Sequence, residues 1–230
     1  MSDSETTAPQ LETVAIEAAE GVARIALNRP QALNAWNAQL SVDLLAALRY
    51  AAEAREVRAV VLTGSGRAFC SGADLRDLGG IEQTPDGRPD LYRSLTERYH
   101  PVMLAIRELP KPVIAAVNGP AVGIGCSLAL CCDLVVTAES AYLLLAFVNI
   151  GLVPDGGSSL FVPARAGMAR ASEMALLGER VPAERALEWG LVNRVVPDGQ
   201  LGEEVDALAT RLAAGPTRAY AGAKRQLNAS

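Results

Sequence analysis

The alternation of hydrophobic and polar positions predicts strands and helices in turn along most of the chain. Two short alternating stretches, 14–17 and 22–27, flank a turn at Glu20-Gly21 and predict a β-hairpin. Residues 34–54 carry leucines and alanines at helical spacing. Residues 58–63 are a short run of mostly β-branched and aliphatic side chains, which predicts a buried strand.

The rest of the chain continues this order. The same criteria predict further helices at 90–109, 164–177, 182–189, 201–214 and 216–226, and further strands at 113–117, 134–137, 141–145 and 191–196. Residues 79–89, rich in Gly, Pro and Asp, are expected to form a mobile loop. Strands that alternate with helices up to about residue 196 predict an α/β fold with helices at the C-terminal end.

One stretch combines a strand with a glycine-containing helix start. The apolar run 113–117 breaks at residues 118–120, and Gly123 and Gly125 then precede a helical run of small residues. A helix start has unpaired N–H groups and a partial positive charge, so this stretch is a candidate site for an oxyanion. Alternatively, the two glycines serve only the close packing of a buried helix.

A second loop, Ser71-Gly72-Ala73-Asp74, has the same character of small residues between a strand and a predicted helix. Two convergent backbone N–H groups would form an oxyanion hole. The sequence alone does not show whether the two loops meet.

Composition narrows the range of functions. The chain has 230 residues, of which 50% are hydrophobic and 4% aromatic, so it is long enough for one large domain with an aliphatic core. Its formal charge of −5 argues against nonspecific nucleic-acid binding. The N-terminus lacks a secretory signal pattern, and the apolar runs are too short to span a bilayer. We therefore expect a cytoplasmic protein with no membrane partner.

The sequence contains few of the residue patterns that mark familiar catalytic centres. The four cysteines fit neither a zinc site nor a redox pair, and their number and spacing suit a reduced compartment: Cys70, Cys126, Cys131 and Cys132. The single histidine, His100, has no G-x-S-x-G partner motif, so we expect it to be structural. We also expect no metal site and no dinucleotide-binding site.

Five motifs in order carry a family resemblance. They are residues 28–35 (NRPQALNA), 67–75 (RAFCSGADL), 111–130 (KPVIAAVNGPAVGIGCSLAL), 151–157 (GLVPDGG) and 186–196 (ALEWGLVNRVV). Together they resemble the crotonase superfamily, the enoyl-CoA hydratase/isomerase group. The resemblance is collinear from about Val14 to Gln226, nearly the whole chain.

The resemblance implies a fold and a class of ligand. The fold would be a spiral of repeated ββα units over 11–199, preceded by a disordered tail at 1–10. A C-terminal helical region at 200–230 would follow, shorter than is usual in the family. Such proteins bind acyl-CoA thioesters, so coenzyme A would be part of the substrate and no separate cofactor is expected. They assemble as homotrimers or dimers of trimers.

The resemblance also assigns site residues. The N–H groups of Ala73 and Ile124 would be the two donors of the oxyanion hole, with Gly123 beside the second. The CoA ester would be bound by Ala32, Ser71, Ala73, Asp74, Leu75, Gly123 and Ile124, the residues of 71–75 acting through their backbone. Lys224 and Arg225 would either approach the CoA phosphates or be exposed helix charges.

Two departures from the hydratase pattern direct the functional prediction. The positions of the two hydratase glutamates are occupied by Ser127 and Phe147, neither of which can activate water. Asp155 remains as an acid in the Pro-Asp-Gly-Gly loop, where isomerase members carry one. Its apolar neighbours, Phe147 among them, would raise its pKa. Asn149 is a further pocket candidate.

We therefore predict an enoyl-CoA isomerase of fatty-acid or aromatic-acid metabolism, with Asp155 as the proton shuttle. Three alternatives stay open. Asp155 alone could instead be a turn residue or a helix N-cap. The reaction could be hydration or another crotonase reaction. The protein could also bind acyl-CoA without catalysing a reaction.

Overall fold

The computed structural model describes residues 8–76, 83–88 and 90–229. The strands are β1 (Val14–Ala19), β2 (Val22–Leu27), β3 (Ala59–Gly64), β4 (Val113–Val117), β5 (Ala121–Val122), β6 (Leu134–Ala138), β7 (Tyr142–Leu144), β8 (Val181–Pro182) and β9 (Arg194–Val196). The helices are α1 (Ala38–Glu53), α2 (Leu91–Ser94), α3 (His100–Glu108), α4 (Ile124–Cys131), α5 (Ser158–Ala166), α6 (Met168–Leu177), α7 (Ala183–Glu188), α8 (Leu201–Ala214) and α9 (Thr217–Ala229).

A six-stranded sheet forms the centre of the molecule, in the order β1-β2-β3-β4-β6-β9. The predicted hairpin β1–β2 is antiparallel, and every later neighbour pair is parallel. All five residues of β4 are buried. A strand of Val, Ile and Ala without polar alternation suits this position, because helices cover parallel sheets on both faces.

A smaller sheet, in the order β5-β7-β8, contains the second strand of two consecutive β–β–α units. In β4–β5–α4 and again in β6–β7–α5, one strand joins the large sheet, the next joins the small sheet, and a helix follows. The predicted α/β class is thereby confirmed, and α8 and α9 form the predicted helical C-terminal region. The two-residue strands β5 and β8 were not predicted, since they are too short to show a period.

Several helix boundaries differ from the prediction, three of them with a clear physical reason. Helix α1 begins at Ala38 rather than at residue 34, because the Asn37 side chain accepts a hydrogen bond from Leu40 N and caps it. The predicted helix 164–177 begins earlier, at Ser158, and is two helices, which are separated at Gly167 with a φ of +80°. The predicted helix 90–109 contains one π-helical turn, Leu95–Tyr99, just before Pro101, which has no backbone N–H to donate.

Two predictions, one about the N-terminal tail and one about the internal loop 79–89, need correction or restriction. Ala8 packs against the core, so the described part of the predicted tail is not free of the fold. Residues 1–7 lie outside the described residues, as do 79–82 and 89 of the predicted mobile loop. None of the helices in the described ranges combines the length and apolar character needed to cross a bilayer.

Lys224 is neither an exposed charge nor free to reach a ligand phosphate. Its side chain is 7% exposed, and its Nζ donates to Asp133 Oδ2 at 2.8 Å. Asp133 also accepts from the backbone N–H of Val113, at the start of β4. Both Lys224 alternatives are therefore wrong, because α9 packs this ammonium group onto the central sheet. Its neighbour Arg225 is exposed.

Candidate active site

The two small-residue loops singled out from the sequence lie side by side. Cys70 N donates to Pro120 O at 3.1 Å, and Val122 N donates to Cys70 O at 2.9 Å. These bonds form a parallel bridge between Cys70 and Ala121, directly before Ser71 and Gly123. The fold thus brings together the two loops whose contact the sequence could not show.

The N–H of Ala73 faces away from Trp36. Trp36 N donates to Gly72 O at 2.8 Å, and Asp74 N donates to Trp36 O at 2.9 Å. Both bonds lie on one edge of the Ala73 segment, so the N–H of Ala73 faces the opposite edge, since backbone groups alternate along an extended chain. Within the described residues it has no backbone acceptor.

The N–H of Ile124 is one of the unpaired donors at the start of α4. It also has no backbone acceptor in the described part of the chain. Ala73 and Ile124 both line one cavity, so two backbone N–H groups without a backbone acceptor in the described residues belong to residues of its wall.

The two glycines that precede and enter α4 have different roles. Gly123 adopts a φ of +53° and a ψ of −122°, a conformation that L side chains rarely adopt, while a Cβ there would meet only ordinary contacts, Phe147 Cζ at 3.9 Å and Gly72 Cα at 4.0 Å. Gly125 has no such φ, but a Cβ there would lie 2.4 Å from Cys70 O. The packing explanation therefore holds for Gly125, whereas Gly123 sets the backbone turn beside Ile124.

An ion pair fixes the loop that contains Ser71 and Asp74. Arg29 Nη2 lies 2.9 Å from Asp74 Oδ2, and both side chains are largely buried. Burial would raise the pKa of Asp74, but hydrogen bonds from Arg29 and from Arg76 N, together with their charges, hold that pKa below its ordinary value. The carboxylate of Asp74 is thus committed to Arg29, and its backbone N–H is committed to Trp36 O.

The cavity has a volume of about 320 Å³, and its walls are largely apolar. It is lined by Ser71, Gly72, Ala73, Leu75, Leu91, Ser94, Leu95, Tyr99, Val122, Gly123, Ile124, Ala146, Phe147, Asn149, Ile150, Leu152, Val153 and Asp155. Predicted residues from three separate loops therefore share one cavity.

Asp155 is the chemically distinctive group of the cavity. Its Oδ1 is buried and has no hydrogen-bond partner within the described residues. Burial raises its pKa to about 7. It does not cap α5, because the N-cap is Gly157 and no side chain caps that helix. The N-cap alternative is therefore wrong, and the carboxyl group is available at neutral pH in both protonation states.

The three pocket candidates have different positions. Phe147 lines the cavity, as predicted. Asn149 also lines it, but its amide donates to Gly178 O at 3.0 Å and thereby joins this segment to the end of α6. Ser127 is fully buried beneath the surface of the cavity and is not among its lining residues. Its hydroxyl donates to Asp155 O at 2.9 Å.

Ser71 Oγ donates to Ala32 O at 3.4 Å, so Ala32 adjoins the first loop, but it is not among the residues that line the cavity. Leu75 lines the cavity and is 59% exposed. Three further residues that line the cavity were not predicted from the sequence: Leu91, Leu95 and Tyr99. Their helical spacing was visible as an amphipathic signal, but nothing in it distinguished a wall of a cavity from core.

Other chemistry is not supported by the described residues. Among them, no three His, Cys, Asp or Glu side chains cluster as metal ligands would. All four cysteines are free and buried, and burial raises the pKa of Cys70, Cys126 and Cys131 to about 12. These thiols are therefore protonated at neutral pH.

Comparisons of the sequence and of the fold find related proteins. The sequence profile of the family described as enoyl-CoA hydratase/isomerase matches residues 17–230. A Rhodobacter capsulatus protein named "Probable enoyl-CoA hydratase" is 46% identical over 217 residues, which are 94% of this chain and 81% of the relative. The 1,2-epoxyphenylacetyl-CoA isomerase of Escherichia coli K12 is 40% identical over 220 residues, 96% of this chain and 83% of the relative. The crystal structure of an enoyl-CoA hydratase from Mycobacterium avium subsp. paratuberculosis K-10 superimposes with a TM-score of 0.84 at 40% identity, covering 96% of this chain and 82% of that one.

Proposed function

Because the chain belongs to the enoyl-CoA hydratase/isomerase family, we propose that it is an enoyl-CoA isomerase that moves a double bond from C3 to C2 of an acyl-CoA thioester. The observation that carries the proposal is Asp155. Its carboxyl group, whose buried Oδ1 has no hydrogen-bond partner among the described residues and whose pKa is raised to about 7, stands in a largely apolar cavity. Double-bond migration needs one group of this kind.

In the proposed reaction, the Asp155 carboxylate removes a proton from C2 of a 3-enoyl thioester. The electron pair of the broken C–H bond delocalises through C2, the carbonyl and C3–C4, which gives a dienolate with negative charge on the thioester oxygen. Asp155 then returns the proton to C4, and the product is the conjugated 2-enoyl thioester. A pKa near the working pH suits a group that must both accept and return a proton.

The N–H groups of Ala73 and Ile124 would stabilise the dienolate oxygen. Both are fixed before substrate arrives, the first by the Trp36 bridge and the second by the start of α4. Donors that do not reorganise are worth about 3 kcal/mol each in barrier height, from the loss seen when one such donor is removed. The apolar walls exclude water and strengthen this effect.

The test is conversion of 3-hexenoyl-CoA to conjugated 2-hexenoyl-CoA, followed by ultraviolet absorbance. The wild-type protein should catalyse it, and Asp155→Asn, which keeps the shape but cannot accept the proton, should lose at least about 10³-fold in rate. Adding Asn149→Asp to the Asp155→Asn variant tests whether a carboxyl group elsewhere at the cavity suffices. Full activity of Asp155→Asn would refute the proposal. Solvent-deuterium incorporation at C2 separates catalysis from acyl-CoA binding alone.

Hydration is the second candidate, and the name of the relative from R. capsulatus favours it. Two features of this chain weigh against it. Among the described lining residues, Asp155 is the only acid, whereas hydration needs a base for water and an acid for C2. Ser127, in one of the two hydratase positions, is turned to a backbone oxygen instead of the cavity. Rapid hydration of crotonyl-CoA by the wild-type protein would favour this alternative.

A further inference from the structure

The backbone oxygen of Asp155 has an unusual number of donors. Ser127 Oγ lies 2.9 Å from it, Ser158 Oγ 2.8 Å and Ser158 N 3.0 Å. A carbonyl oxygen has two lone pairs, so three donors fully occupy it. Ser127 is 0% exposed and Ser158 is 1% exposed. The loop before α5 is therefore anchored at the residue that carries the cavity's acid.

The two hydroxyl groups differ in what they connect. Ser158 is the first residue of α5 and follows Asp155 by three residues, so its two bonds are local to the junction between the loop and α5. Ser127 lies on α4, one helical turn after Ile124. Its bond to Asp155 O is the only hydrogen bond between α4 and residues 151–157 in the part of the chain that the structure describes.

Packing at the same place leaves little slack. A Cβ on Gly156 would lie 2.4 Å from Ile124 Cδ1 and 3.0 Å from Ser127 Cβ. The glycine therefore lets the loop lie directly on α4, with the side chains of Ile124 and Ser127 beneath it. The Ser127 hydroxyl has a second acceptor, Gly123 O, but at 3.4 Å. The shorter bond to Asp155 O is the stronger one.

We propose that Ser127 is a positioning residue, whose hydroxyl holds the Asp155 loop in register with the Ile124 N–H so that carboxylate and oxyanion hole act on one thioester. This inference rests on the proposed function. One helix then sets both groups: its first residue supplies a donor for the oxygen, and its first turn fixes the acid. Ser127 touches no substrate, since it is buried beneath the cavity wall.

Ser127→Ala and Ser158→Ala form a matched pair. Each removes one buried hydroxyl bond of nearly equal length to the same oxygen, but only the first cuts the link to α4. With 3-hexenoyl-CoA, Ser127→Ala should lower kcat about tenfold with KM changed less than about twofold, since small displacements of a reacting group are costly. Ser158→Ala should lower kcat less than about threefold.

Two further measurements distinguish positioning from a loss of stability. In an Asp155→Asn background, Ser127→Ala should add less than about twofold to the loss, because residues that act as a unit are not additive. The midpoint of the pH–rate profile should also fall by about one unit in Ser127→Ala, because a loosened loop admits water to the carboxyl group. If Ser127→Ala does not fold, Ser127→Cys replaces it, since a thiol is a weaker donor of similar size.

The results separate the two proposals. An active wild type, an inactive Asp155→Asn variant and equal losses in the two serine variants would overturn the role of Ser127 alone. Additive losses in the Asp155→Asn background, or an unmoved pH midpoint, would also overturn it. Full activity of Asp155→Asn would overturn the proposed function, and with it the inference.

Discussion

The buried carboxyl group of Asp155 should make this protein less stable as pH rises, which is the reverse of the usual effect of an aspartate. Burial raises its pKa in the folded state from an ordinary 3.8 to about 7. Between these values the folded state binds a proton that the unfolded state does not. The stabilisation is complete below pH 4 and is lost as pH rises through about 7. Asp155→Asn removes this titration while keeping the shape of the side chain.

The magnitude follows from the shift. Each pKa unit corresponds to about 1.4 kcal/mol, so the whole window is worth about 4 kcal/mol. Between pH 5 and pH 8 the protein loses the part of this stabilisation that corresponds to about two of the three pKa units. The free energy of unfolding of Asp155→Asn, relative to the wild type, should therefore rise by about 3 kcal/mol from pH 5 to pH 8.

The assay is urea unfolding of both proteins at several pH values, with the slope of the transition checked for constancy. Comparing the two proteins cancels every other group that titrates in this range. Asp74→Asn is the control of opposite sign, because Arg29 and Arg76 lower the pKa of Asp74 in the folded state. That variant should lose stability relative to the wild type as pH rises to about 4, and the difference between the two proteins should then stay constant from pH 5 to pH 8. A difference between Asp155→Asn and the wild type that changes by less than about 1 kcal/mol over the range would refute the burial argument.

Three further predictions concern the scaffold of the site. Gly125→Ala should cost at least about 3 kcal/mol in unfolding free energy, because its Cβ would lie 2.4 Å from Cys70 O, and a well-folded, fully active variant would contradict this. Gly123→Ala should cost less, about 1–3 kcal/mol, since only its φ of +53° is unfavourable; urea titration of the two variants together gives the order. Lys224→Ala should lower the free energy of unfolding by about 3 kcal/mol, because it leaves the Asp133 carboxylate without its 2.8 Å partner. A lower thermal unfolding temperature together with an unchanged KM would confirm a purely structural role.

The hydrophobic pattern was enough to predict the main elements. Strands such as β4 and helices such as α8 were predicted to within a residue, because burial of one face or of both is a property of local sequence. The strands β5 and β8 have two residues each and are held by pairing with β7, so they have no local signal. The break at Gly167 was missed because apolar residues continue on both sides of it.

The candidate site divides in the same way. The sequence indicated that Gly123 and Gly125 mattered, but only the structure separated a conformational role from a packing role, because that distinction depends on what lies beside each Cα. The apolar neighbours of Asp155 predicted a raised pKa, since several of them adjoin it in the chain. The burial of Lys224 could not be predicted, because Asp133 is 91 residues away.

What the sequence determined by itself, therefore, was the class of fold, the two small-residue loops and the single acid of the Pro-Asp-Gly-Gly loop. Only the tertiary structure decided that the loops meet through Cys70 and Ala121 and that Asp155 shares their cavity. It also showed that Ser127, which the sequence marked only as a position without an acid, donates a hydrogen bond to the backbone oxygen of Asp155. The physical reason is that local periodicity records which residues are buried, whereas pairing between distant segments determines which of them are buried together.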